Sequence, residues 1–462
     1  MADGVAFIPL FIDNDYRSGD VTFEFRNPYT GQVAGIAASA TSQDCKDAIE
    51  SAGRAFVKWE HSPLEQRRNI FLKAADLLES PEFKDVIISA MRAETAMIEE
   101  MTVHNIEDAA MFMRKVAGMT NQLKGETFSS TVSGGHVVAQ RRAKGVILSI
   151  APWNAPVYLT VRAVGVAILC GNTVVLKCSE YSPWSQFVVA RIFHGAGLPS
   201  GVLNFISMDS KDAPALTAEM IAHPLVRAIN FTGSDRVGRI IAAEAAKYLK
   251  PCIFELGGKA AAVVLDDADV AQAARAVVSS GMYHSGQLCM STERLIVQRA
   301  VSEQLIKEVT QLVKGLKAGD PRTDSTAQLS ALFTENAAKS VISMMSEAVA
   351  EGAQVILGDL QRQGAIVQPH LLTGVTPGMR LWKRESFGPV ITIAVVDTVD
   401  EAVDLANSTE YSLAASLWTK DINKALDVSG RIRSGMTNVN GPTFHIEPLR
   451  ENAGLGCVGG NH

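Results

Sequence analysis

A cysteine stands in a bend of small residues between two apolar stretches of the chain. The segment SSGMYHSGQLCMSTERL, residues 279–295, places Cys289 among glycine and serine residues. A thiol that attacks a carbonyl carbon needs thiolate character and a backbone that leaves its sulfur accessible, and the small residues supply the second condition. Alternatively, Cys289 is an inert packed side chain, which is the common state of an isolated cysteine.

Glu255 and Asn154 could complete such a reaction. Glu255, in FELGGK, ends an apolar strand before two glycines, where partial burial favours a general base; otherwise it is solvated or paired with Lys259. Asn154, in SIAPWNAP, could donate its side-chain N–H to an oxyanion beside the N–H of Cys289, or cap the helix that begins near Pro156.

Two further patterns could hold a dinucleotide. In VVLKCSEYSP, Lys177 and Glu180 flank Ser179 and can grip the hydroxyls of an adenine ribose, and the acidic side chain disfavours a 2′-phosphate, so NAD is preferred over NADP. In FTGSDRVG, a strand passes through Gly233 and Ser234 into a helix N-terminus that could bind pyrophosphate. The alternatives are an exposed ion pair and an ordinary strand-to-helix turn.

A third pattern, ESFGPV, offers a carboxylate and a ring for the nicotinamide side. Glu385 and Phe387 are the residues concerned, and the alternative is a turn with Phe387 in the core.

Composition narrows the class of protein. The chain of 462 residues is 47% hydrophobic and 20% charged, with a formal net charge of −6, which excludes the basic field of a nucleic-acid binder. The N-terminus lacks a secretory signal pattern, and no run approaches the ~18 apolar residues of a membrane span, so a cytoplasmic location is expected. The six cysteines are scattered without metal-ligand spacing; free thiols and no metal site are expected.

Alternating periodicity predicts how these residues are positioned. TFEFRNPYTGQVAGIAAS indicates a hairpin, and SQDCKDAIESAGRAFVKW a helix with a serine cap. From residue 144, strands and helices alternate through about 249, and a second α/β series continues to about 421. Repeated βα units predict an α/β fold with parallel sheets whose carboxyl ends carry the ligand sites.

Taken in order, these motifs identify the chain as a member of the aldehyde dehydrogenase superfamily, from the first hairpin to about residue 445. The motifs are APWNAP, VVLKCSE, FTGS, FELGGK, GQLC and ESFGPV. The resemblance implies a Rossmann-like NAD-binding domain (1–124 and 144–255), a β oligomerisation arm (125–143), an α/β catalytic domain (256–440) and a C-terminal segment (441–462). It also implies a homodimer or homotetramer.

The resemblance assigns roles position by position. Cys289 matches the nucleophile, Glu255 the general base and Asn154 the oxyanion donor. The residues matching the NAD contacts are Trp153, Lys177, Ser179, Glu180, Gly233, Ser234, Glu385 and Phe387. The implied reaction is oxidation of an aldehyde to the acid through a thiohemiacetal and a thioester on the cysteine.

Two stretches resemble the benzaldehyde, vanillin and salicylaldehyde branch of the superfamily. They are PWNAPVYLTVRAV and the NGPTxHxE pattern within MTNVNGPTFHIEP, and they favour an aromatic aldehyde substrate. Arg162 could approach a ring substituent, although a helix-surface arginine is the alternative we expect.

The chain differs from the superfamily pattern at its end, where LRENAGLGCVGGNH replaces a Gly-rich segment and a further strand. We expect an exposed edge around residues 125–145 as a result. Two other functions stay open: a dehydrogenase that passes the acyl group to coenzyme A, and an inactive nucleotide-binding member.

Overall fold

The computed structural model of the chain describes residues 6–444. Its helices are α1 (Ser42–Trp59), α2 (Leu64–Glu79), α3 (Pro81–Thr95), α4 (Glu99–Gly118), α5 (Pro156–Leu169), α6 (Pro183–Gly195), α7 (Ala213–Ala222), α8 (Asp235–Ala246), α9 (Val270–Met282), α10 (Arg299–Lys314), α11 (Glu335–Ala350), α12 (Arg380–Lys383), α13 (Val399–Ala406) and α14 (Ile422–Arg431). Short 3-10 helices cover Met119–Gln122 and Tyr283–Gly286.

Its strands are β1 (Ala6–Ile8), β2 (Leu10–Ile12), β3 (Asp15–Arg17), β4 (Thr22–Arg26), β5 (Val33–Ala38), β6 (Glu126–Ser129), β7 (His136–Ala139), β8 (Val146–Ile150), β9 (Thr173–Lys177), β10 (Leu203–Ile206), β11 (Val226–Thr232), β12 (Cys252–Glu255), β13 (Ala260–Val264), β14 (Thr292–Gln298), β15 (Gln354–Leu357), β16 (Arg362–Gln363), β17 (Ile366–Val367), β18 (His370–Thr373), β19 (Val390–Val396), β20 (Ala414–Trp418) and β21 (Met436–Val439).

The first large sheet has the strand order β12-β11-β8-β9-β10-β2-β3. Its strands β12 to β10 are parallel, and β2 and β3 add an antiparallel edge. Side chains alternate between two cores: Ile147 packs with α5 and α6, whereas Leu148 packs with α1 and α8. Because helices cover both faces, β8 and β9 are buried at every position, which is why their sequences are largely apolar rather than alternating.

The second large sheet has the order β15-β18-β19-β14-β13-β20-β21. All neighbouring strands are parallel except the edge strand β15. Ala261 and Val263 face α11 and α13, while Ala262 and Val264 face α9 and α10. Two helix-covered parallel sheets confirm the predicted α/β fold class.

The predicted hairpin and helix near the N-terminus are present. Strands β4 and β5 pair antiparallel from Thr22 with Ala38. Helix α1 spans the residues expected, but its cap is Thr41, and the predicted serine cap at Ser42 is wrong. The Thr41 hydroxyl accepts from the Asp44 N–H at 3.2 Å, and the Asp44 carboxylate accepts from the Thr41 N–H at 2.9 Å. This reciprocal capping box fixes the boundary one residue earlier.

Strands β6 and β7 form a separate two-stranded hairpin. In the sequence, this hairpin lies between β3 and β8, two strands of the first large sheet. Every residue of β6 is exposed, and Phe128 and Val138 present apolar side chains to solvent. An isolated hairpin of this kind has unsatisfied edges and little apolar cover of its own.

Candidate active site

One cavity collects the three residues predicted to do the chemistry. It has a volume of about 840 Å³, and Cys289, Glu255 and Asn154 all lie in its wall. The apolar and aromatic part of the wall comprises Met101, Phe112, Ala155, Tyr158, Leu159, Tyr283, Leu288, Met290, Leu413, Val439, Pro442 and Phe444. The structure therefore brings these three polar residues, which are far apart in the sequence, to one largely apolar pocket.

Cys289 follows a tightly wound stretch of backbone. His284 and Ser285 have φ angles of +50° and +55°, in the left-handed region that is uncommon for residues with a side chain. From the other side, Gly258 lies so close that a Cβ on it would overlap the carbonyl oxygen of Cys289. Cys289 is half-buried and lines the cavity. It is therefore not the inert, packed core cysteine of the alternative interpretation.

The electrostatic surroundings of Cys289 favour the protonated thiol. Burial raises its pKa to about 12, and the carboxyl groups of Glu255 and Glu385 act in the same direction, while Arg162 opposes them. Because the thiolate is the nucleophilic form, a base or a nearby positive charge is needed before the sulfur can attack.

Asn154 is held beside the nucleophile segment. Its Nδ2 donates to the carbonyl oxygen of Gln287 at 3.0 Å, and the residue is buried. The alternative role as helix cap is wrong, because Oδ1 of Asn105 on α4 accepts from the N–H groups of Val157 and Tyr158 at 3.1 Å and thereby caps α5. Asn105 lies 52 residues before Val157 in the sequence, so no local pattern pointed to it.

Glu255 is paired with Arg162. The two are 3.3 Å apart from Oε1 to Nη2, and the side chains are 6% and 17% exposed. The expectation that Arg162 lies on a helix surface is wrong, because α5 packs on the sheet with this residue turned toward the end of β12. The alternative pairing of Glu255 with Lys259 is also wrong, since Lys259 contacts Glu293 instead.

The buried pair of Lys259 and Glu293 fixes the ESFGPV loop. Glu293 accepts from the N–H of Ser386 at 3.0 Å and from that of Phe387 at 3.3 Å. Glu385, the first residue of this loop, accepts from the Gly258 N–H at 2.8 Å. Burial raises the pKa of Glu385 to about 8. The loop is thereby tied to the same glycine that abuts Cys289.

The other predicted cofactor residues follow the carboxyl ends of neighbouring parallel strands. Lys177 ends β9, and its Nζ lies 3.5 Å from Oε2 of Glu180. Lys177 is buried and Glu180 is half-buried. The alternative interpretation of these two residues as an exposed ion pair is therefore wrong. The backbone N–H of Ser179 donates to Gln186 at 2.7 Å, and the same Gln186 side chain donates to the Pro152 carbonyl at 3.3 Å.

Gly233 and Ser234 directly follow the carboxyl end of β11. Ser234 caps α8 by accepting from the Val237 N–H at 3.4 Å, so the strand-to-helix turn is present. Asp235, the first residue of α8, pairs with Arg384 at 2.9 Å. This ion pair links the turn to the segment that contains Glu385, and it places both predicted cofactor segments side by side.

Trp153 belongs to an aromatic cluster beside Asn154. Its ring stacks on Phe333 with centroids 4.1 Å apart, and Phe387 meets it edge-on at 5.9 Å. Phe387 has a φ of +53° and is half-buried, so it is not in the core. Phe333 was missed from the sequence because it lies in a loop without a recognisable motif.

A second cavity of about 850 Å³ meets the first at Glu255 and Arg162, which line both. Cys289 and Asn154 are not in its wall. Besides Arg162, its basic side chains are Arg67, Arg141, Arg142 and Lys144, and it reaches the surface near His61.

The model of the aldehyde dehydrogenase family matches residues 16–456. The chain belongs to the aldehyde dehydrogenase family. It is therefore an oxidoreductase that acts on an aldehyde, and the family assignment made from its motifs is confirmed.

Characterised members of this family resemble the chain over most of its length. A vanillin dehydrogenase from Pseudomonas sp. (strain HR199 / DSM 7063) is 43% identical over 445 residues, covering 95% of this chain and 91% of that protein. A benzaldehyde dehydrogenase [NAD(+)] from Pseudomonas putida is 33% identical, covering 94% and 88%. The crystal structure of a salicylaldehyde dehydrogenase from Pseudomonas putida G7, complexed with salicylaldehyde, superposes with a TM-score of 0.93 at 34% identity, covering 96% and 91%.

The resemblance to the aromatic-aldehyde branch is confirmed by these relatives. Part of the pattern that suggested it, His445 and Glu447, lies outside the described residues. Across residues 6–444, no helix is both long and apolar enough to cross a membrane. The roles assigned to individual residues stay predictions.

Proposed function

We propose that this enzyme oxidises an aromatic aldehyde to the carboxylic acid with NAD⁺ as hydride acceptor. The observation that supports this most is the convergence of Cys289, Glu255 and Asn154 on one cavity with aromatic walls. A thiol, a carboxylate and an amide donor are the groups that covalent aldehyde oxidation requires.

The residues around the strand ends fit NAD⁺. Lys177 and Glu180 would hold the adenine ribose, and the turn at Gly233 and Ser234 before α8 offers a helix N-terminus to the pyrophosphate. Trp153, Ser179 and Phe387 would line the cleft, with Glu385 on the nicotinamide side. The close approach of Gly257 fits this arrangement, because a Cβ there would overlap the Glu385 carboxylate.

The chain's own residues divide the chemistry between them. Glu255 takes the thiol proton of Cys289, and the sulfur adds to the aldehyde carbon. The oxyanion that forms accepts from the Asn154 side chain and the Cys289 N–H. The chemistry that NAD⁺ supplies when bound is acceptance of the hydride from that carbon, which leaves a thioester on the sulfur. Glu255 loses the thiol proton to solvent and then takes a proton from water, whose oxygen attacks the thioester carbon. As the C–S bond breaks, Glu255 returns this proton to the sulfur, so that the acid is released and the Cys289 thiol is restored.

The shape of the cavity supports an aromatic substrate. Phe112 meets Tyr158 edge-on at 5.9 Å, and Tyr283 stacks with Phe444 at 6.0 Å. Both pairs line the cavity and offer ring faces and edges to a flat substrate. The vanillin, benzaldehyde and salicylaldehyde dehydrogenases named above support the same substrate class.

The remaining proposals concern organisation. Residues 1–124 and 144–255 would form the NAD-binding domain, 125–143 the arm, 256–440 the catalytic domain and 441–462 the C-terminal segment. The exposed apolar side chains of the β6–β7 hairpin support a role in a homodimer or homotetramer. A cytoplasmic location is proposed from the sequence.

Turnover with an aldehyde panel tests the function. The purified chain is incubated with NAD⁺ and benzaldehyde, vanillin or salicylaldehyde, and NADH absorbance is followed. Turnover without coenzyme A and with release of the free acid is expected. A rate that depends on coenzyme A, or no NADH with any aromatic aldehyde, contradicts the proposal.

A further inference from the structure

The pair of Arg162 and Glu255 stands at the boundary between two cavities. Both side chains line the cavity of Cys289, and both also line the second cavity, which Cys289 does not reach. A glutamate at such a boundary has room to turn toward either side, so its position relative to the sulfur is not fixed by packing alone.

Arg162 is in contact with this glutamate. Its Nη2 lies 3.3 Å from Oε1 of Glu255, with both side chains largely removed from water. Ion pairs shielded from water are screened far less than those at the surface, and a guanidinium holds a carboxylate in a directional way. Helix α5 itself is anchored, because Asn230 and Ser149 both donate to the Ala163 carbonyl, at 2.9 Å in each case. The arginine is therefore presented from a fixed support.

We propose that Arg162 is the positioning residue of the general base: it holds the Glu255 carboxylate ionised and beside Cys289. This inference rests on the proposed function, in which Glu255 takes protons first from the thiol and then from water. Without the arginine, the Glu255 carboxylate in this largely apolar pocket would bind a proton more tightly. It would also be released to turn away from the sulfur.

Other charged or titratable groups line the two cavities that Glu255 lines. Those of the first cavity are Tyr158, one turn before Arg162 on α5, Cys289 and Tyr283, together with Glu100, His104 and Asp108 on α4. The groups across the second cavity are Glu60, His61, Arg67, Arg141, Arg142 and Lys144. Of these, Arg67 donates to the carbonyls of Trp59, Glu60 and Leu169. Arg162 is the cation shown in contact with Glu255.

The test compares pH profiles of turnover. Arg162→Met removes the charge at similar length, Arg162→Lys keeps it, and Arg299→Met removes an arginine from an exposed ion pair with Asp397. In Arg162→Met, the pH of half-maximal kcat is expected to rise by about one unit or more, with activity partly recovered at alkaline pH. Arg162→Lys is expected to keep a profile close to that of the unmodified chain, and Arg299→Met to leave it unchanged.

Each outcome separates the inference from the proposed function. If the unmodified chain oxidises no aromatic aldehyde at any pH, the proposed function fails. If it does, but Arg162→Met lowers kcat equally at every pH or not at all, the positioning role is overturned. Thermal melting is measured alongside, and should Arg162→Met not fold, Arg162→Gln, which keeps hydrogen-bonding capacity without charge, is judged by the same shift.

Discussion

Gly258 lies directly against the backbone carbonyl of Cys289, in a space that admits no side chain. The same glycine donates its N–H to Glu385 at 2.8 Å. A single residue of the FELGGK motif therefore sets the distance between the nucleophile segment and the ESFGPV loop. The second glycine of that motif is explained by the close approach of backbone rather than by an unusual backbone angle.

Gly258→Ala is expected to displace the Cys289 segment and lower kcat about a hundredfold, because misplacement of a reacting group by about 1 Å costs roughly that much. Gly430→Ala is the matched control, since a Cβ on this helix residue meets no atom within 4 Å. Steady-state kinetics on both variants check the prediction. Near-normal turnover in Gly258→Ala would show that the Cys289 segment tolerates the displacement.

Cys289→Ala is expected to abolish aldehyde oxidation while leaving NAD⁺ affinity within about twofold, since the cysteine lies on the substrate side and the cofactor residues are untouched. Cys252→Ala, at a half-buried thiol on β12, should retain turnover. NADH formation and isothermal titration with NAD⁺ measure the two effects. Oxidation that survives in Cys289→Ala would remove the proposed nucleophile.

Much of the fold could be predicted because its parallel strands are short apolar runs alternating with amphipathic helices. The strands around residues 146, 173, 203 and 226 and the helices between them lie where periodicity placed them. Strands β1 to β3 were not predicted. They are only three residues long each, and β2 owes its place to pairing with β10 about 190 residues away, which no local pattern encodes.

The site was predictable where chemistry needs a particular side chain, and less so where a side chain only supports another. Cys289, Glu255 and Asn154 stand in motifs, whereas Asn105 and Glu293 are polar residues in an ordinary helix and strand. Their importance comes from burial and from backbone groups distant in sequence. Arg162 shows the same limit, because helical periodicity could not tell that its face is turned to the sheet edge.

The buried pair of Lys259 and Glu293 is expected to be costly to break. The side chains are 1% and 4% exposed, so Lys259→Met leaves a carboxylate without its cation, and the free energy of unfolding should fall by about 3–5 kcal/mol. Arg299→Met, at an exposed pair, should cost less than about 1 kcal/mol. Urea unfolding of the three proteins gives the comparison. Equal losses of unfolding free energy in the two variants would mean that the buried pair stabilises the fold no more than a surface pair does.

The thiol of Cys289 is expected to react slowly with iodoacetamide at neutral pH. Its pKa is raised to about 12, chiefly by burial. At a pH below its pKa, a thiol is mostly in the protonated form, which does not react. Alkylation of Cys289 should therefore accelerate with each pH unit throughout the range in which the protein stays folded. At about pH 7 the rate should be at least a hundredfold below that of a free cysteine. Peptide mass spectrometry distinguishes alkylation of Cys289 from that of Cys252. Rapid alkylation of Cys289 at neutral pH would contradict a raised pKa for its thiol.

The wall of the substrate cavity that α4 provides carries Glu100, His104 and Asp108, spaced one turn apart. His104 Nδ1 lies 2.6 Å from the Tyr283 hydroxyl. A carboxylate on the substrate ring would meet this acidic face, and like charges in such a setting repel by about 1–2 kcal/mol. We therefore expect 4-formylbenzoate to be oxidised with a kcat/KM at least about tenfold below that of benzaldehyde.

Asp108→Asn should raise kcat/KM for 4-formylbenzoate severalfold and leave benzaldehyde unchanged, because only the charged ring senses the carboxylate. Burial raises the pKa of Asp108, so the assay is run at about pH 8 to keep this group ionised. Glu107→Gln is the matched control, since this exposed neighbour on α4 does not line the cavity. A gain that is the same for both aldehydes, or the same in Glu107→Gln, would mean that charge at this wall does not select the substrate.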